Sequence, residues 1–280
     1  HLRHAHRQGA EGSEQRTHQG YRIVFDIAGT LGAPTTGDLG SRSNIVTACR
    51  VGGIRKPTGD KMGTTTLLDG GMGQELIRRG APRSAELWSA WAMLEDPELV
   101  ATVHADYASA GADVLTTNSY ATFVDRLRPH GLADRAEELT RLAGSLARDA
   151  ADAAGRDVRV AGSLPPLRHS YNPSPDAAYD QLHDEYLQMV GYLADHVDLF
   201  VCETMGACSE ARAAADAART SGKPVWVSFT LQGGDGQGLL DGTPFNEVCS
   251  ATDADAFLLN CSPPEQISAA LPLLRQATNL

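Results

Sequence analysis

The sequence predicts an α/β fold of the (β/α)8 TIM-barrel type, with about six βα units present. Three observations carry this. From residue 66 onward, short apolar, β-branched runs alternate with longer helical stretches, a pattern that predicts a parallel sheet covered by helices. The runs end in polar residues (Asp69, Thr117, Ser163, Glu203, Thr230 and Cys261), and barrels build their sites at the C-terminal ends of strands. No G-x-G-x-x-G follows the first run, which removes support for an open, nucleotide-binding sheet.

The strand candidates in order are Thr66–Asp69, Asp113–Thr117, Val158–Ser163, Val197–Glu203, Pro224–Thr230 and Ala256–Cys261. Between them, Pro97–Ala110 reads as a helix with Asp96 as N-cap and Pro97 at the first helical position. Leu132–Ala154 is rich in Ala, Leu and Arg. Pro175–His196 carries Tyr179, Leu182, Tyr186, Met189, Val190 and Leu193 at helical spacing. Ser209–Ser221 stops at Gly222, with Pro224 beyond, and Pro264–Ala277 closes the chain. The glycine-rich stretch from Gly233 to Gly238 lacks the Lys-Ser/Thr of a phosphate loop and reads as a flexible loop.

Met62 to Leu280 is 219 residues, against about 250 for a complete barrel. Roughly two units are missing, which predicts exposed edges at the first and sixth strands and poor solubility. Residues 1–61 precede the first methionine and show little periodicity. Only Tyr21–Phe25 and Asn44–Ala48 resemble strands, and nothing continues them. This segment is expected to be a non-native or disordered extension, leaving residues 62–280 as the barrel domain. The histidines His1, His4, His6 and His18 and the thiol Cys49 lie within it and receive no role.

The net charge of -11 is uneven. Residues 1–61 hold nine Lys and Arg against five Asp and Glu; the remainder holds fifteen against thirty. So acidic a body is a poor phosphate-backbone binder, and a small-molecule substrate is the better expectation. No run approaches the roughly 20 apolar residues of a membrane span, and no secretory pattern opens the chain; a soluble, cytoplasmic protein is expected. Five cysteines, an odd number, argue against a disulfide framework. Cys202, Cys208 and Cys249 read as packing residues.

Three positions suggest chemistry. Asp69 precedes Gly70, Gly71, Met72 and Gly73, where backbone N–H groups could meet a carboxylate and the Asp an ammonium; a capped Gly-rich turn explains the segment equally well. Glu203 ends the apolar run Leu199–Cys202, where a carboxylate needs a cation, either a ligand ammonium or a neighbouring Arg. Strand alternation turns Cys202 away from it, toward the helices. Cys261 is the one thiol at the mouth end of a strand.

Several segments, in order, are similar to the homocysteine S-methyltransferase family. They are Leu67–Gly73, Leu87-Trp88-Ser89, Asp96–Leu99 with His104 and Asp106-Tyr107, Ala110–Asp113, Thr117–Thr122, Ala161–Ser163, Cys202-Glu203-Thr204, Ser228–Leu231, Asp241–Pro244 and Asn260-Cys261. The resemblance implies a (β/α)8 barrel that methylates homocysteine to methionine. It also implies a Zn2+ held by three cysteines, with the homocysteine sulfur as fourth ligand. Cys261 matches the first of those cysteines. Asp69, Gly70, Gly71, Thr117, Glu203 and Asn260 match substrate-binding positions, Asp69 and Glu203 orienting the amine and the glycine amides the carboxylate. The Leu-Trp-Ser and Asp-Gly-Thr-Pro segments look most like the branch using S-methylmethionine or S-adenosylmethionine. The family's adjacent Cys-Cys pair has no match before Leu280, so the 280-residue chain is expected to hold no catalytic zinc and to be inactive by itself. Two other readings compete. One is a zinc-free, amino-acid-binding pseudoenzyme. The other is an unrelated barrel such as an aldolase, for which Lys223 lies at the wrong end of its strand.

Overall fold

The structure, a computed structural model, describes residues 47–49, 66–81, 87, 89–173, 178–233 and 237–278. Most of residues 1–61, including the histidines and Tyr21–Phe25, lies outside the described residues, as do Trp88 and residues 234–236 of the glycine-rich loop.

One sheet organises the chain. Its strands are β1 (Thr47–Cys49), β2 (Val114–Thr116), β3 (Arg159–Leu164), β4 (Leu199–Met205), β5 (Val225–Phe229) and β6 (Ala256–Leu259), in the order β1-β6-β5-β4-β3-β2. From β2 to β6 every pairing is parallel and between consecutive strands. The order never reverses, as it would in a doubly wound sheet; this is the winding of successive barrel units. The segment expected as the first strand makes a single parallel bridge, Leu68 to Val114. Its Asp69 N–H donates to the Val114 carbonyl at 3.0 Å.

The sixth strand corrects the expectation of an exposed edge. β1 pairs antiparallel with β6, Thr47 opposite Leu259 and Cys49 opposite Phe257. Thr47 and Ala48, the described part of the Asn44–Ala48 run, are therefore paired with a strand distant in sequence, which a local reading cannot see.

The helices expected from periodicity are present: α3 (Pro97–Ser109), α5 (Ala136–Asp152), α6 (Tyr179–Leu193), α7 (Cys208–Arg219) and α9 (Pro264–Ala277). Asp96 caps α3 by accepting from Leu99 N–H at 3.1 Å. Gly222, just past α7, has φ of 71°, a left-handed conformation that costs glycine nothing. Four shorter helices were not anticipated: α1 (Met72–Arg78), α2 (Ala90–Glu95), α4 (Val124–Leu127) and α8 (Phe245–Ala251). Each is seven residues or fewer, too short for hydrophobic periodicity to register.

Alternation along the strands sorts the side chains into two populations. Leu115, Val160, Phe200, Cys202, Val227, Phe229, Phe257 and Leu259 join the large core under the helices. Val114, Ala161, Leu199, Val201, Trp226 and Leu258 form a separate cluster on the other face. That second cluster comes from strands alone, as a barrel interior does. The Arg159 guanidinium lies over the Trp226 ring, 5.2 Å from its centroid.

Candidate functional site

The inner cluster is an apolar floor, and the site stands on it. Two residues further along each strand, on the same face, come Thr116 above Val114, Ser163 above Ala161, Glu203 above Val201, Ser228 above Trp226 and Asn260 above Leu258. One strand repeat thus converts a hydrophobic layer into a polar one at the C-terminal mouth.

Hydrogen bonds tie this layer together. The Asp69 carboxylate accepts from Thr116 N–H at 2.7 Å and from its hydroxyl at 2.8 Å. Thr117 Oγ1 accepts from Ser163 N–H at 2.9 Å and lies 2.8 Å from Ser119 Oγ, which donates to the Ser163 carbonyl. Asn260 uses every position of its amide. Oδ1 accepts from Thr204 N–H at 3.1 Å and Ser228 Oγ at 2.9 Å, while Nδ2 donates to Thr204 Oγ1 at 2.9 Å and Cys261 Sγ at 3.5 Å. Thr117 and Asn260, expected to bind substrate, are therefore engaged as cross-ties between strand ends.

Asn260 holds two unusual residues. Thr204 and Cys261 both have positive φ, 63° and 50°, costly for side chains with a Cβ and for a β-branched one above all. Their side chains meet, Oγ1 to Sγ, at 3.5 Å. The strain and the thiol sit in one place, a combination typical of functional sites. Thr204 carried no individual signal in the sequence beyond its place in Cys202-Glu203-Thr204.

Glu203 is half-buried on the inner face beside them. Its hydrogen-bond partner is the Ser163 hydroxyl, and among the described residues no Arg, Lys or His pairs with it. The neighbouring arginine weighed as an explanation is thus not found there. Burial pushes its carboxyl above the ordinary value, opposed by Ser163. Burial also raises the Cys261 thiol; hydrogen bonds from Thr204 and Tyr171 oppose this, and the Glu203 charge reinforces it. Cys202 is fully buried among the helix-facing residues, as alternation required.

Packing gives Gly70 a reason of its own. A Cβ there would lie 2.7 Å from the Tyr107 hydroxyl on α3. Gly71 is the N-cap of α1 with φ of -68°, so no left-handed geometry demands glycine there.

Among the described residues no three His, Cys, Asp or Glu side chains come together to hold a metal ion. Cys261 is one thiol surrounded by hydroxyls, an amide and a carboxylate. That donor set does not fit a three-thiolate centre.

The fold and site define a class: a parallel, barrel-wound α/β protein with a strained thiol and a cation-seeking carboxylate at its strand ends. The family model described as Homocysteine S-methyltransferase matches residues 66–280, and the chain belongs to that family of methyltransferases. The homocysteine S-methyltransferase of Escherichia coli is 33% identical over 237 residues, covering 76% of this chain and 74% of the relative. Homocysteine S-methyltransferase YbgG of Bacillus subtilis is 30% identical over 235 residues, with 76% and 74% covered. A selenocysteine methyltransferase of Astragalus bisulcatus is 30% identical over 251 residues. The crystal structure of the Escherichia coli homocysteine methyltransferase MmuM in its metallated form superposes with a TM-score of 0.61 at 33% identity, covering 66% of this chain and 69% of that one.

Proposed function

We propose that the mouth binds homocysteine as the methyl acceptor, with S-methylmethionine or S-adenosylmethionine as donor. The observation that carries this reading is Glu203, a half-buried carboxylate with no cationic side chain beside it among the described residues. A charge so placed is costly unless a cation reaches it, and the ammonium of an amino acid is such a cation. Asp69, fixed on Thr116, is the second carboxylate at the mouth, and the amides of Gly70 and Gly71 are offered to the substrate carboxylate. Thr117 and Asn260 act as positioning residues.

In this reading the homocysteine sulfur, as thiolate, attacks the donor methyl in line. A new S–CH3 bond forms, and the breaking bond leaves its electron pair on the donor sulfur, which becomes neutral. The thiol proton leaves to solvent. Holding the two sulfurs in line supplies much of the acceleration. A bound zinc would supply thiolate activation, since coordination deprotonates a thiol. Cys261 would furnish one ligand. We expect the 280-residue chain, in the cytoplasm, to bind homocysteine and to be inactive in methyl transfer by itself.

That donor set favours one second reading, a zinc-free, amino-acid-binding pseudoenzyme. A single experiment separates the readings. Carbon-labelled homocysteine is incubated with each sulfonium donor and added Zn2+, and labelled methionine is followed by mass spectrometry. Catalytic formation of labelled methionine excludes the pseudoenzyme. Homocysteine binding with no labelled methionine, even at high zinc, favours it. Absence of homocysteine binding overturns both.

A further inference from the structure

We infer that Tyr171 is the donor-side wall of the site, a specificity-determining residue that presents its ring to a positively charged sulfonium; this rests on the homocysteine reading above. Among the described residues two large apolar side chains stay exposed, Leu273 and Tyr171, the latter at 41%. Leu273 lies on α9, whereas Tyr171 lies in the segment joining β3 to α6, at the mouth.

That segment is clamped. The buried Glu210 carboxylate accepts from Leu167 N–H at 2.7 Å and Arg168 N–H at 3.3 Å. Tyr186 donates its hydroxyl to the Pro165 carbonyl at 2.8 Å. Arg168 makes two 2.8 Å bonds to Glu185, and Tyr120 donates to Ser170 Oγ at 2.8 Å. Four anchors within six residues hold the following Tyr171 in place while more than a third of it faces solvent. Its hydroxyl hydrogen-bonds the Cys261 thiol, which ties the β3–α6 segment to the residue just past Asn260 and β6. Tyr120, one residue away through Ser170, lies within electrostatic reach of both Cys261 and Glu203.

A group approaching Cys261 from this side meets Tyr171 and the Glu203 carboxylate. The methyl donor must bring its charged sulfur to that region, and aromatic faces attract cations. The product, a neutral thioether, loses that attraction, so the same ring that selects the donor favours release of the demethylated product.

The test compares S-methylmethionine with homoleucine, the isostere in which a CH replaces the charged sulfur. Dissociation constants are measured by calorimetry for the wild-type chain, Tyr171→Phe and Tyr171→Leu, with homocysteine binding measured alongside. The ring is retained in Tyr171→Phe, and its preference for the sulfonium should equal that of the wild type. In Tyr171→Leu the preference should fall roughly three- to thirty-fold, with homocysteine affinity unchanged. A Leu variant that binds homocysteine normally and keeps the full sulfonium preference overturns the role of Tyr171 alone. Failure of the wild-type chain to bind homocysteine overturns the underlying reading, and the inference with it.

Discussion

Two glutamates seven residues apart, one buried and one half-buried, have opposite fates. Glu210, in the first turn of α7, is buried and held by two backbone N–H groups of the β3–α6 segment, with the Arg168 guanidinium near. Glu203, at the end of β4, has one serine hydroxyl. Burial raises both carboxyls above their ordinary value, but only around Glu210 do backbone donors and a cation oppose it. One carboxylate is part of the scaffold. The other, in the proposed function, is completed by the ammonium of the ligand.

The largest expected effect separates these roles. Glu203→Gln should weaken homocysteine binding by about 2–5 kcal/mol, the usual cost of removing one partner of a desolvated charge pair. Ligand-free stability should hold or rise. Glu210→Gln should do the reverse. It leaves the amides of Leu167 and Arg168 poorly paired and lowers stability by about 1–3 kcal/mol, with homocysteine affinity little changed. Thermal melts and calorimetry on both variants check the contrast; matching losses of binding would erase it.

The pH dependence sharpens the same point. The folded-state carboxyl of Glu203 holds its proton more tightly than the unfolded chain does. Its contribution is thus fully present below pH 4.5 and is lost as pH rises through the folded value. Glu203→Gln should remove that component from the stability profile. His104 has the opposite sign. It is fully buried on α3, neither ring nitrogen has a hydrogen-bond partner among the described residues, and burial lowers it to about 4. Stability should fall as pH drops from 6.5 through about 4, because the unfolded chain takes up the proton first. His104→Leu should flatten the acid side of a denaturation series.

The smallest effects concern two glycines of the same motif. Gly70→Ala places a Cβ 2.7 Å from the Tyr107 hydroxyl and should cost about 1–3 kcal/mol. Gly73→Ala, inside α1, meets Ser89 at a comfortable 3.8 Å and should gain up to about 1 kcal/mol from helix propensity. Melting both variants tests whether the glycines answer to packing rather than to ligand approach.

Much of this was legible in the sequence. Strand alternation placed Cys202 outward and Glu203 at the mouth, because a period of two survives in any strand whose floor is apolar. The long helices announced themselves through caps and spacing. What stayed hidden depends on contacts between distant segments. Pairing of Thr47–Cys49 with β6, the clash that keeps Gly70 small, and the saturation of Asn260 by Thr204, Ser228 and Cys261 leave no local trace. Thr204 and Tyr171 were missed for the same reason, since a strained φ or a hydroxyl bonded to a distant thiol exists only once the strand ends converge.

The most direct test of the central claim is calorimetric titration of the 280-residue chain with L-homocysteine and with 4-mercaptobutanoate, which lacks the amine. If Glu203 awaits an ammonium, homocysteine binds and the des-amino compound binds far more weakly, and Glu203→Gln removes the difference. Equal affinities for the two compounds, or a difference that survives Glu203→Gln, would contradict the account.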